Sequence, residues 1–242
     1  MAVEQAEIED IQHKVISTGS AEIDKKMGGG IPHGSLILIE GQSNAGKSVV
    51  SQQLAHGALN NGARVAMYTT EQTTRSLLRQ MESLSLDVSD FYLLGAFNVY
   101  QVPAAMSETA AVTAFDKLLA HWEKLAGHFD VIFFDSLTSF VSQVSDTKTL
   151  QFLTAAKDIV DRDITIFFTL HSHAFEDSMF ARIRSLCDAH LRLRVEEMGD
   201  MLVKVLEVAK VRGAAKTTGN IITFDVEPGL GMKIVPISKA KA

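Results

Sequence analysis

Residues 41 to 48 read Gly41-Gln42-Ser43-Asn44-Ala45-Gly46-Lys47-Ser48, a complete G-x-x-x-x-G-K-S phosphate-binding loop that follows the apolar run Leu36 to Ile39. The residue types explain the spacing. Gly41 and Gly46 let the backbone wrap closely around phosphate oxygens, and the N–H groups that follow, at the start of a helix beginning near Lys47, point into the same concavity. Lys47 is the cation for β- and γ-phosphates, and the Ser48 hydroxyl is a ligand for Mg²⁺. Gln42, Ser43, Asn44 and Ala45 are small or polar and leave the loop open. A nucleoside triphosphate with Mg²⁺ is the ligand this pattern demands.

Two acids extend the chemistry. The segment Phe129 to Ser136 is an apolar strand ending in Asp135, an arrangement in which a second carboxylate orients a Mg²⁺-bound water beside the phosphate loop. An Asp at that place also caps the next helix. Glu71 follows the run Arg64 to Thr69 and lies 24 positions beyond Lys47. That sets a carboxylate at the carboxyl edge of a sheet, as a candidate general base that polarises an attacking water. Its alternative role is an acid in the first turn of a helix starting near Thr73.

Two further pairs have less specific spacing. His171 and His173 stand just past the run Ile164 to Thr169. With no nearby Cys or Asp to complete a ligand set, they read as a polar strand end that senses the nucleotide or packs, rather than as a metal site. Lys210 and Arg212 end a strand, and alternation projects both from one face, which suits either a phosphate or solvent.

The elements that must position these residues are legible as short apolar runs. Leu36 to Ile39, Arg64 to Thr69, Val131 to Phe134 and Ile164 to Thr169 read as parallel strands, with a weaker strand at Phe91 to Leu94. Between them, Val49 to Leu59, Ser76 to Leu84, Met106 to Leu125 and Leu150 to Val160 carry apolar residues at intervals of three and four, as crossover helices do. Beyond residue 188 the runs Ala189 to Val195, Leu202 to Val211, Ile221 to Val226 and Lys233 to Val235 read as an antiparallel meander broken at Gly199, Gly213, Gly219 and Gly229. The expected fold is α/β, a P-loop domain with a mainly parallel central sheet flanked by helices and a C-terminal meander.

Composition narrows the setting. With 242 residues, 46% hydrophobic, and only 4 prolines, the chain has the makings of one globular domain. Its 23 basic and 29 acidic residues give a formal charge of −6, which disfavours a generic nucleic-acid surface. Cys187 is the single cysteine, so no intramolecular disulfide forms and a reducing compartment fits. No signal peptide or membrane-length apolar run is present, so the expected location is cytoplasmic.

Ser17-Thr18-Gly19, Gly28-Gly29-Gly30-Ile31-Pro32 and Gly34-Ser35, just ahead of the phosphate loop, resemble the opening of RecA-like ATPases of the KaiC type. The resemblance runs from about Val15 to Pro236. Ile31 to Leu36, Leu38 to Gly41, Tyr68 to Glu71 and Thr169 to His171 are most similar to the accessory ATPases of the archaeal flagellum, or archaellum, the FlaH or ArlH family.

That resemblance implies a RecA/KaiC-like ATPase domain over 15–237 behind an N-terminal extension over 1–14, and Lys239 and Lys241 mark a short basic tail over 238–242. It implies a protein that binds ATP with Mg²⁺, forms a homo-oligomeric ring such as a hexamer, and lies beneath the membrane-embedded motor platform. Its implied partners are the hexameric motor ATPase and the platform proteins, with neither nucleic acid nor direct membrane insertion. In similar proteins the segment matching Lys210 and Arg212 reaches the neighbouring subunit's γ-phosphate, and positions matching Val226 and Pro228 lie near the adenine.

One departure bears on activity. KaiC-like ATPases commonly carry two adjacent acids where this chain has Glu71 followed by Gln72, which implies slow, assembly-dependent hydrolysis. Two other functions share the core: a recombinase-like DNA-dependent ATPase and a KaiC-type autokinase. The first lacks an evident basic-aromatic stripe. The second commonly joins two ATPase domains, and here offers only Thr217 and Thr218 as phosphoacceptors.

Overall fold

Successive residues of each apolar run face opposite sides of a strand, and in this chain both sides are apolar. Ile37, Ile39, Phe133 and Phe167 belong to one core, and Leu36, Leu38, Phe134 and Phe168 to another. A strand that is apolar on both faces must be covered on both, which is the condition for a helix-flanked parallel sheet. The computed structural model describes residues 15–199, 201–214 and 220–235. The extension over 1–14, Thr217, Thr218 and the tail over 238–242 lie outside the described residues.

A short antiparallel pair, β1 (Val15–Ile16) and β2 (Ile31–Pro32), encloses helix α1 (Ala21–Lys26). The chain then alternates through β3 (Leu36–Gly41), α2 (Lys47–Asn60), β4 (Val65–Thr69), α3 (Thr74–Ser83), α4 (Ser89–Leu93), β5 (Phe97–Gln101), α5 (Glu108–Leu125), β6 (Val131–Asp135), α6 (Thr138–Val141), α7 (Asp146–Val160), β7 (Thr165–His171) and α8 (Asp177–Leu186). It ends in the meander β8 (Ala189–Met198), β9 (Met201–Val211), β10 (Ile221–Glu227) and β11 (Gly231–Ile234). The order across the nine-stranded sheet is β11-β10-β9-β8-β3-β7-β6-β4-β5, parallel from β8 to β5 and antiparallel from β8 to β11.

The strand expected at Phe91 to Leu94 is helical instead, and the edge strand lies six residues later. Asp87 Oδ1 accepts from the Ser89 N–H (2.9 Å) and hydroxyl (2.7 Å), which organises a helical turn. Gly95, at φ 75°, then ends that turn. The run that follows, Phe97 to Gln101, pairs in register with β4.

The lead-in segment Ser17-Thr18-Gly19 is anchored on α1. Asp24 accepts from the Ser17 hydroxyl (2.5 Å), the Thr18 N–H (2.8 Å) and the Thr18 hydroxyl (2.7 Å). The segment then crosses α2 at Gly57, where an added Cβ would fall 2.2 Å from the Ser17 carbonyl oxygen. Gly57 is therefore what allows the two backbones to touch.

Candidate nucleotide site

The loop between β3 and α2 ends at Gly46, whose φ of 93° is a conformation that L side chains avoid. An added Cβ there would also meet the Phe224 ring at 3.2 Å. Among the described residues no side chain caps α2. The N–H groups of Lys47, Ser48 and Val49 have no protein acceptor among the described residues, which leaves the helix N-terminus open to an anion.

These groups border a cavity of about 480 Å³ that is also lined by Glu71, Asp135, His171 and Lys204. Sheet register gathers them. Thr69 pairs with Asp135 across β4 and β6, and Gly41 pairs with His171 across β3 and β7. Thus Glu71, two residues past β4, Asp135, at the end of β6, and the phosphate loop all emerge at one edge. Ligands of open parallel sheets bind at this carboxyl edge.

Lys47 is 7% exposed. Its ammonium donates to the carbonyl oxygens of Gly41 (3.2 Å) and Gln42 (2.8 Å) and to Nδ1 of His171 (3.3 Å). Burial lowers the Lys47 pKa, while Asp135 and Glu71 oppose that shift. His171 is also lowered, by burial first and then by Lys47 and His173, with Asp135 opposing. A neutral imidazole fits its place as acceptor from Lys47, and Ser43 Oγ lies 3.4 Å from the same nitrogen.

The acids are held from behind. Asp135 accepts from the Thr169 hydroxyl at 2.6 Å. The Thr69 hydroxyl accepts from the N–H groups of Glu71 (3.4 Å) and Gln72 (3.1 Å), fixing the turn that carries Glu71. Thr73 caps α3 by accepting from the Ser76 N–H, so Glu71 lies just ahead of the helix rather than within it. Gln72 turns away, its amide donating to Gln80 Oε1 at 2.5 Å, where Gln52 of α2 also donates.

Behind the loop, Glu40 receives both arms of Arg184 (2.7 and 3.0 Å) and Nε2 of His190 (2.9 Å). Burial alone would raise its pKa, but hydrogen bonds from His190 and Arg184 hold it at about 2.

This donor set fits a triphosphate with its metal. Lys47 and the open helix N-terminus suit phosphate oxygens, and the Ser48 hydroxyl and Asp135 carboxylate are oxygen donors of the kind Mg²⁺ takes.

Lys210 and Arg212 lie elsewhere. Ala189 pairs with both Ile37 and Val211, so the end of β9 sits beside the start of β3, at the sheet edge opposite the phosphate loop. Their cations converge, as alternation requires, on the C-terminus of α8. Lys210 donates to the carbonyl oxygens of Arg184 (3.0 Å) and Cys187 (2.5 Å), and Arg212 to that of Ser185 (3.2 Å).

Lys204 is a cavity residue that sequence reasoning missed. It lies on β9 between buried Val203 and Val205, and a cation on the open face of a strand carries no distinguishing signal. Val226 lines the cavity and Pro228 does not.

The family model for the KaiC ATPase matches residues 16–239. The archaeal flagellar ATP-binding protein FlaH of Sulfolobus acidocaldarius is 31% identical over 231 residues, covering 94% of this chain and 100% of that protein. The protein of the same description from Methanocaldococcus jannaschii is 31% identical over 88% of this chain and 91% of its own length. The crystal structure of flagellar accessory protein FlaH from M. jannaschii superposes with a TM-score of 0.79 at 28% identity, over 92% of this chain and 99% of that one.

Proposed function

The chain belongs to the KaiC family of ATPases and, within it, to the FlaH proteins of archaeal flagella; on that footing we propose that it is an ATP-binding protein of the archaellum motor, whose nucleotide state governs its assembly with itself and with the motor ATPase. The observation that carries the reading is the convergence of Lys47, Ser48, Glu71 and Asp135 on one cavity at the open N-terminus of α2.

In this reading Lys47 and the first N–H groups of α2 hold the β- and γ-phosphates. Ser48 and Asp135 would hold Mg²⁺, which when bound would neutralise phosphate charge. Glu71 orients an attacking water and takes its proton. Gln72 cannot act as a second acid, and its bond to Gln80 directs it toward the α2–α3 contact, which favours slow turnover.

Lys210 and Arg212, at the far edge of the sheet, complete a neighbour's site in a homo-oligomeric ring such as a hexamer. A cation supplied in trans contributes ~10³ to 10⁵ in rate to related phosphoryl transfers. The hexameric motor ATPase and the membrane platform proteins are the proposed partners. Among the described residues no helix is long and apolar enough to cross a membrane.

Sedimentation with Mg²⁺-ATP against nucleotide-free protein, alone and with the motor ATPase, tests the proposal. Nucleotide-dependent association is expected, and by linkage assembly must tighten ATP binding by the same factor. Identical profiles at all concentrations would remove the assembly role.

A further inference from the structure

A second cavity, of about 770 Å³, opens between α5 and the segment that follows β5. It shares no lining residue with the nucleotide cavity. It also belongs to the other face of the sheet, with Tyr68 and Phe140 among the core residues that α5 and α7 cover.

The shape follows from sequence. Ala110, Ala114, Lys117 and His121 recur along α5 at helical spacing and form one stripe. The two alanines are too short to fill the space against Val102 and Pro103. Tyr68, which is 2% exposed, and Tyr100 supply an aromatic wall, their rings stacked at 4.9 Å and 25°. The His121 ring meets both edge-on.

Two donors stand in this carbon-lined space. Burial pushes the Tyr68 phenol well up, so it keeps its proton, and its oxygen lies 2.8 Å from Nδ1 of His121. Burial, and then Lys124, lowers His121, which favours the neutral ring, and in the tautomer that accepts from Tyr68 at Nδ1 the ring carries its own proton on Nε2. That N–H has no protein partner among the described residues. Lys117, one turn earlier on the same stripe, has no carboxylate partner among them either.

A cation and a neutral N–H four residues apart match the two oxygens of one carboxylate. The remaining walls, including Leu118 and Phe140, match an apolar body. The volume lies within the ~300–1,000 Å³ typical of small-ligand sites.

We propose that this cavity is a second binding site, for a small amphiphilic carboxylate whose oxygens accept from Lys117 and His121 and whose apolar body lies against Tyr100, Leu118 and Phe140. The site is independent of the nucleotide reading, because none of its residues touches the phosphate loop cavity.

The only tryptophan, Trp122, packs edge-on to Tyr68 with ring centroids 6.0 Å apart, so its fluorescence reports on the aromatic wall. Full-length protein is titrated with 3-phenylpropionate and octanoate, and with the alcohols of the same bodies, by Trp122 fluorescence and ligand-observed NMR. Saturable 1:1 binding is expected, at least ten-fold tighter for each acid than for its alcohol. Lys117→Ala reduces acid affinity to that of the alcohol. Ala110→Trp, at the exposed rim, abolishes both, and melting curves check that each variant is folded. Absence of saturable binding by the acids, equal affinity for acid and alcohol, or undiminished binding by folded Ala110→Trp would each overturn the proposal.

Discussion

Lys47 Nζ stands 3.3 Å from Nδ1 of His171 while donating to the carbonyl oxygens of Gly41 and Gln42. The Lys47 ammonium is thus held beside the cavity by the loop and by one imidazole. That imidazole can accept only while neutral, since protonation would set two cations against each other.

The direction of that shift makes stability depend on pH. His171 titrates below its ordinary 6.5 in the folded chain, so between those values the unfolded chain binds more protons. Stability then falls as pH drops below 6.5. His171→Gln retains an acceptor and removes the titration, so its melting temperature should fall less than the wild type's from pH 7 to 5. Parallel curves would contradict the assignment of a neutral, half-buried His171.

Glu71 and Asp135 should separate by role. Glu71→Gln is expected to leave ATP affinity within about three-fold and to lower turnover by ~10² or more, the scale of a lost general base. Asp135→Asn should weaken Mg²⁺-dependent binding roughly ten-fold, because a charge near the metal is removed while the Thr169 contact survives. Calorimetry with and without Mg²⁺, alongside phosphate release, reads both. Wild-type hydrolysis by Glu71→Gln would mean that another group is the base.

Acid should unlock the strand that leads into the phosphate loop. Glu40 moves from 4.5 to about 2 on folding, and one pKa unit is ~1.4 kcal/mol, so its ionisation contributes about 3 kcal/mol at neutral pH. A depressed carboxylate contributes fully above 4.5 and loses its contribution as pH falls toward 2. Urea unfolding should show Glu40→Gln about 3 kcal/mol less stable at pH 7, with the gap narrowing steadily below pH 4.5. A gap independent of pH would refute this account of the Glu40–Arg184–His190 cluster.

Gly57 offers a test in which helix propensity and packing disagree. Alanine is preferred in a helix by ~1 kcal/mol. Yet a Cβ here would sit 2.2 Å from the Ser17 carbonyl oxygen and 2.5 Å from the Thr18 carbonyl carbon, both backbone atoms that cannot rotate away. Gly57→Ala should therefore destabilise by ~1–3 kcal/mol, with faster proteolysis near Ser17. A higher melting temperature would show that the lead-in segment is not packed on α2 as described.

How far the sequence foretold this arrangement depended on where the information lay. The phosphate loop, the strand ending at Asp135 and the meander are local patterns, and apolar runs bounded by glycine fixed their types. Tyr92, Leu93 and Leu94 misled because they are apolar yet exposed, and the turn that Asp87 makes with Ser89 outweighed their strand propensity. The meeting of Lys47 with His171 joins residues 124 positions apart through the β3–β7 register, and Lys204 enters the cavity by the β9–β10 pairing. Neither leaves a trace in spacing. The Gln52–Gln72–Gln80 contact was equally hidden, although the missing second acid was plain.

In the proposed reading Lys47 and the open N-terminus of α2 form a site for Mg²⁺-ATP. Titration calorimetry on nucleotide-stripped, folded protein is the decisive measurement. Saturable Mg²⁺-ATP binding by the wild type is expected, weakened at least a hundred-fold by Lys47→Ala at unchanged fold. No binding by the wild type, or equal binding by Lys47→Ala, would contradict it.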